Sequence, residues 1–439
     1  MIDAILMVPN LVFDKDDEQV DKSITIAYVD YKSTWNENNT FYLTALLTEF
    51  SCKHPNIPIS PITFDSQDSF LSWIVAELTT GKGPDVLLLD NFSTINWNKM
   101  AINHQLTDLS QYMSVDNAFH RENYFSAALN AGVLEEKQYV LPLSFKCSSF
   151  FSSERKLCRN ANKTLEIESY NDILNLINMS VEHAKMDSER FPIVFNTSTD
   201  LYLASLLEAF QVPIIDVAFP KIVMSKNILA DLCDCLRSLN EVCSLNENNY
   251  RLTDCIYQSI SFPSVDYYFQ SYGLPVWIAF QNFMMEYVNE KAVTILTPSF
   301  EDGKKHAATL SFYGAVNNNS KQKDYAYKTL RTLADEACGE GIGWDFPANR
   351  KALEEWIDKQ VAGKEWTITI DDVPHSIIHA DHYGTQLMRI ADNISIIPFN
   401  DWNALKIIDD GMMPYIHNTM NFEECYYQVI NELNLYISK

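Results

Sequence analysis

The chain has 439 residues, of which 47% are hydrophobic and 21% charged, the balance of a globular protein with room for more than one structural unit. Its 33 Lys and Arg against 58 Asp and Glu leave a formal charge of −25, which repels phosphate backbones and anionic membrane surfaces and argues against a nucleic-acid partner. Glycine is scarce, 12 residues against about 7% in average usage, which argues against glycine-rich phosphate loops.

Met1 to Phe13 (MIDAILMVPNLVF) is apolar but has neither a basic flank nor a small-residue cleavage site, and Pro9 interrupts it. Residues 1–21 read as an N-terminal extension or the stump of an export or linker region. No apolar run approaches the roughly 18 residues a spanning helix needs. Nine scattered cysteines do not form a disulfide framework, and most read as buried apolar residues.

Lys22 to Tyr31 (KSITIAYVDY) alternates like a strand. Phe41 to Phe50 reads as a helix with Asn39 or Thr40 as its cap, and Ile57 to Asp65 again as a strand. Phe70, Leu71, Ile74, Val75 and Leu78 make one helical stripe, ended by Gly81. Pro84 to Asp90 (PDVLLLD) is a short apolar run suited to a buried parallel strand. This β-α-β-α-β rhythm predicts an α/β fold with a mostly parallel sheet.

Further on, Val140 to Phe145 (VLPLSF) reads as a strand whose Pro142 suits an edge or a connection. Several helical patterns fill 170–245, and Ala307 to Val316 is extended. Ser320 is the expected cap of a helix running to Ala337, and Asn421 with Glu424 opens the last helix.

Several segments, in order, resemble the carbohydrate-type extracellular solute-binding proteins of ABC importers. They are the helix end FSCKHPNIPI (50–59), LTTGKGPDVLLLD (78–90), LTDLSQY (106–112), KQYVLP (137–142), GAVNNNSKQKDYA (314–326), FPANRKAL (346–353) and the final helix. The chain departs from the family in its low glycine, its cysteine count and its lack of a signal peptide and lipid-modified cysteine.

The resemblance implies a two-lobed periplasmic-binding-protein-like fold of type II, with ligand held between the lobes by hinge closure. Lobe one would take 22–142 and 308–343, and lobe two 145–305 and 346–439, with crossings near Leu143, Leu310 and Trp344. It further implies a monomeric binding protein without cofactor or catalysis, which captures a carbohydrate or oligosaccharide and hands it to a membrane permease. Its place would be extracellular, as an anchored lipoprotein or at the cell surface.

A sugar presents apolar C–H faces and a rim of hydroxyls, so its site needs aromatic platforms with carboxylate or amide groups. Candidates sit on loops at strand ends and crossings: Trp35, Asp90, Asn91, Phe145, Trp277, Tyr313 and Trp344. Each has a plainer alternative in helix capping or packing, and Trp73 and Trp356, in helical patterns, are assigned to packing.

Two rival roles remain open. The same fold could serve as a sensor or adhesin domain without transport. Asp372 to His382 (DVPHSIIHADH) could form a metal-dependent enzyme site if His375, His379 and His382 shared a helical face at i, i+4, i+7. Pro374 and the alternating 367–373 stretch point to a hairpin or loop there instead, and Ser376 stands where the glutamate of H-E-x-x-H would be. No G-x-S-x-G elbow or Walker A sequence is present, and Gly339 to Gly343 follows a helix with the wrong spacing for a dinucleotide fingerprint.

Overall fold

The computed structural model describes residues 23–30, 42–91, 93, 95–161, 167–186, 191–196, 201–216, 221–243, 265–270, 273–278, 281, 291–299, 305–342, 344–361, 365–370, 373–378, 382–395 and 401–438. Its first elements are β1 (Ile24–Val29), α1 (Tyr42–Lys53), β2 (Ile59–Phe64), α2 (Gln67–Thr79), β3 (Val86–Asp90) and α3 (Trp97–Ile102). Each of the first five has a local cause. Ser66 in extended conformation accepts from the Ser69 N–H and starts α2, and Gly81 at φ +70° follows its end. All five residues of β3 are buried, as expected of a strand covered on both faces.

The chain continues through β4 (Val140–Lys146), β5 (Ser149–Ser153), α4 (Tyr170–Met186), β6 (Phe191–Asn196), α5 (Tyr202–Ala209), α6 (Lys226–Cys243), β7 (Val265–Gln270) and β8 (Ala292–Leu296). Then follow β9 (Thr309–Val316), α7 (Lys323–Glu336), β10 (Phe346–Pro347), α8 (Arg350–Trp356), β11 (Glu365–Ile370), β12 (Val373–Ile378), α9 (His382–Asp392), α10 (Trp402–Ile416) and α11 (Phe422–Ile437).

Two sheets organise these elements. The first runs β10-β4-β9-β3-β1-β2, with β1 parallel to β2 and β3, and β9 antiparallel to both of its neighbours. The second runs β8-β5-β7-β6, with β6 and β7 parallel and β5 antiparallel to β7 and β8. Pro142 lies inside the first sheet by strand order. Yet β10 pairs only with Phe145 and Ser144, so among the described residues this side of β4 has no strand partner beyond Leu143 and Pro142 meets an edge in effect.

Each sheet has its own main core, and β5 of the second sheet reaches both, through Phe150 to the second and Phe151 to the first. Ile26, Leu88, Phe145, Leu330, Phe346 and Leu387 belong to the first, and Leu176, Leu203, Leu232, Phe269, Leu405 and Val429 to the second. The chain passes from β4 to β5 through Cys147 and Ser148, and returns between β8 and β9.

The third passage differs from expectation. Phe346, Leu353, Trp356, Leu387 and Ile390 all pack in the first core, and the second core resumes at Ala404. The cause is β10: Phe346 pairs with Phe145 and stacks on its ring, centroids 5.3 Å apart, which keeps the chain on the first sheet past Trp344. The start of α7 also differs. Gln322 occupies the cap position without a side-chain bond, while Ser320 accepts from the Gln322 N–H and donates to Asp85.

Candidate ligand crevice

The candidate crevice is read from two strands that end alike. The parallel register pairs Ile26 with Val86 and Ala27 with Leu87. Carried onward, it sets Asp30 level with Asp90 at the carboxyl ends of β1 and β3. Ligands of open α/β sheets bind outside such ends, because the connections diverge there and leave a gap. Both carboxyls are buried. Asp90 accepts from Gln67 Nε2 at 3.2 and 3.3 Å. Asp30 Oδ2 accepts from the Thr44 hydroxyl, and Oδ1 is buried without a hydrogen-bond partner among the described residues. Burial pushes the Asp30 carboxyl up, against the bonds from Thr44 and Leu43 that pull it down.

Tyr313 on β9 is paired with Leu89 and is buried. Burial raises its hydroxyl strongly, and the charges of Asp90 and then Asp401 push the same way. Asp401 belongs to the second core's side. It caps α10 through the N–H groups of Asn403 and Ala404, and accepts from the Tyr436 hydroxyl at 2.9 and 3.0 Å. Tyr313 therefore stands where a strand of the first sheet meets a helix of the second core.

A buried polar seam continues from there. Asn91 donates from its backbone N–H to the Ser311 carbonyl at 3.0 Å and from Nδ2 to Glu208 Oε1 at 3.4 Å. Lys146 Nζ lies 2.9 Å from Glu208 Oε2. Asp345 accepts from the Gly273 N–H and the Ser311 hydroxyl, each at 2.6 Å. Burial pushes the Asp345 carboxyl up to about 6, although those two bonds and the Lys146 charge act downward. Gln211, just beyond α5, donates to the Ala308 carbonyl and accepts from Ser299 and Ser395, so one amide ties the returning strand and the end of the first core's chain.

The seven sequence candidates separate clearly. Asp90, Asn91 and Tyr313 come together at the crevice. Trp277 packs half-buried against the first core, although its neighbours in sequence were expected in the second lobe. Phe145 is fully buried, stacked on Phe346 and edge-on to Phe125 at 5.7 Å, so protein occupies its ring faces and it is no platform for a sugar. Trp344 is 38% exposed at φ +61° on the turn closed by its N–H to the Gly339 carbonyl, next in sequence to Asp345 of the seam. Trp35 lies outside the described residues.

His375 sits in β12, paired with Ile368 across the expected hairpin, and His382 opens α9. His379 lies outside the described residues. A strand and a helix start replace the continuous helix, so the i, i+4, i+7 face is not formed. No metal-ligating cluster occurs among the described residues.

Sequence reasoning missed Asp30, Glu208, Lys146, Asp345 and Asp401. Two of them carried a readable signal. Asp30 ends its strand as Asp90 ends its own. Glu208 is the lone acid in an apolar helix, YLASLLEA, whose eight residues are all buried.

No family model matches the chain, and no curated protein matches it. Solved structures do. An extracellular solute-binding protein of family 1 from Alicyclobacillus acidocaldarius is 13% identical, with 97% of this chain and 100% of that chain covered at a TM-score of 0.61. The ABC substrate-binding protein Lmo0181 from Listeria monocytogenes, in complex with cycloalternan, is 14% identical over 95% and 99%, TM-score 0.57. Maltose-bound MalE3 from T. maritima is 13% identical over 94% and 99%, TM-score 0.57. Among the described residues no helix is long and apolar enough to cross a membrane. Two separately cored sheets, three passages between them and these likenesses over nearly the whole chain establish the two-lobed, type II fold of the solute-binding proteins.

Proposed function

We propose that the chain captures a neutral carbohydrate in the crevice between its two cores, without catalysis, and delivers it to the membrane permease of an ABC importer from an extracellular position. The observation that carries this is the level pair Asp30 and Asp90, joined by Asn91 and Tyr313 at the open ends of parallel strands. Carboxylates and amides accept from and donate to sugar hydroxyls. Asp30, Asp90, Asp401, Asp345 and Glu208 against Lys146 make the seam acidic, which favours neutral ligands over anionic ones. Structural neighbours with the same fold are described with cycloalternan, maltose, alpha-D-tagatose and D-mannitol bound. Hinge closure around the ligand is the motion this architecture supports, and Trp277 and Trp35 remain proposed aromatic contacts.

The test is thermal unfolding against neutral mono- and oligosaccharides, with uronic acids, amino acids and peptides as controls. A ligand that binds only the folded chain stabilises it by about 2.7 kcal/mol at one hundred times Kd. One neutral sugar class should raise Tm, and Asp90→Ala should remove that rise. A rise with amino acids or peptides and none with any sugar overturns the reading.

A further inference from the structure

One carboxylate joins the two cores at two points. Glu208 projects from α5, whose Leu203, Leu206 and Leu207 lie in the second core. Its Oε2 holds Lys146 Nζ at 2.9 Å, at the end of β4 in the first sheet. Its Oε1 accepts from Asn91 Nδ2 at 3.4 Å, at the end of β3. Glu208 and Lys146 are each about one-twentieth exposed. Taking two such charges out of water is costly, and close geometry offsets the cost only while the pair stays intact.

The α5 helix that carries Glu208 is fixed at both ends. Asp409 of α10 accepts from the Ala204 N–H at 2.8 Å, and Gln211 binds the Ala308 carbonyl just past the other end. Glu208 is thus presented by a rigid support, and a change in the angle between the cores must move its carboxylate relative to Lys146 and Asn91. Asn91 is also one of the groups that line the crevice.

We propose that Glu208 is a positioning residue for closure: by holding Lys146 and Asn91 at once, it docks the second core on the first and aims the Asn91 amide beside Asp90. The inference rests on the crevice being the ligand site, and it assigns control of that site to a residue that need not touch ligand. Breaking either bond frees the cores to part, because the remaining charge gains water by opening. The same break releases the Asn91 side chain from its fixed direction.

The test is small-angle X-ray scattering of the full chain without any sugar, read beside Tm. Glu208→Gln and Lys146→Met should each increase the radius of gyration over the wild type. The double variant Lys146→Met/Glu208→Leu removes both buried charges and should regain Tm relative to the single variants, yet still scatter as a more open molecule. Asp409→Ala is the control, since it removes the acceptor of the Ala204 N–H and so disturbs the seating of α5 without touching the first core, and its scattering should match the wild type. Wild-type scattering from the double variant, or from both singles, overturns the proposal and makes the pair a matter of packing. Equal opening in Asp409→Ala overturns it too, since any disturbance of α5 would then suffice. Because no sugar is present, this result stands apart from the ligand screen: sugar capture with unchanged scattering rejects the closure role alone.

Discussion

The first and second cores differ in how α2 and α5 find their starts, although α10 and α11 of the second core have the local caps Asp401 and Asn421 and α7 of the first has no side-chain cap. In the first, the signals are neighbours in sequence: Ser66 starts α2, Asn96 starts α3 and Asn349 starts α8, each through its own side chain. In the second, α5 begins at Leu201 with no side-chain cap, and Asp409 supplies the missing acceptor from far along the chain. Both sheets also pair distant strands, with β9 between β3 and β4 in the first and β7 between β5 and β6 in the second. A β-α-β-α-β run of 24–90 can organise itself locally. The start of α5 has to be assembled from distant pieces, and its Ala204 N–H is satisfied only once α10 is in place.

The largest expected effects come from removing one large ring in each core. Phe145→Ala takes out a ring stacked on Phe346 and set edge-on to Phe125, and Phe210→Ala removes one packed on Tyr170 at 6.1 Å. Each should cost about 3–5 kcal/mol. In urea, followed by circular dichroism and tryptophan fluorescence, Phe145→Ala should shift one transition and Phe210→Ala another, as separately cooperative units do. One coincident transition moved equally by both variants would merge the cores into a single unit and end the comparison.

The difference also explains what was legible in the sequence. β1 to β3 could be read because each residue's fate follows from near neighbours: alternation, an apolar stripe, Ser66, Gly81. Asp90 and Asn91 could be read as a strand end, and Tyr313 as part of an extended run near a crossing. Phe145 misled because an aromatic near a crossing looks the same whether its faces meet ligand or protein. Only the pairing of β10 with β4 decides, and β10 is two residues long. Glu208, Lys146 and Asp345 were illegible as a group because their meaning lies in one another, and pairings of such sequence separation leave no local pattern. The passage expected near Trp344 failed for the same reason, since β10 holds the following segment on the first sheet.

Acid tests the polar seam between the cores. Burial pushes both Asp345 and Asp409 up to about 6, against about 3.9 in an unfolded chain. The folded state therefore binds these protons more tightly. Each group contributes stability that is present below about pH 4 and lost as pH rises through about 6, at most about 3 kcal/mol apiece. Urea midpoints should fall between about pH 4.5 and about pH 7.5 for the wild type. Asp345→Asn should flatten that fall, and so should Asp409→Asn, each by its own share. An unchanged slope in both variants would assign the dependence to the relief of general repulsion in a chain of charge −25.

The smallest effects compare the two kinds of helix start directly. Ser66→Ala removes a local cap at a solvated helix end, where water takes over part of the lost bond, and should cost about 1 kcal/mol. Asp409→Asn keeps an oxygen for the Ala204 N–H and removes a buried charge, so at neutral pH it should cost no stability. The pair of urea midpoints separates two accounts of the distant cap. If acceptor geometry is what α5 needs, asparagine serves and Ser66→Ala is the more damaging change. If Asp409→Asn proves the costlier, the negative charge itself holds the helix start through the α5 dipole. The start of α5 would then depend on long-range electrostatics where that of α2 depends on its neighbours in sequence.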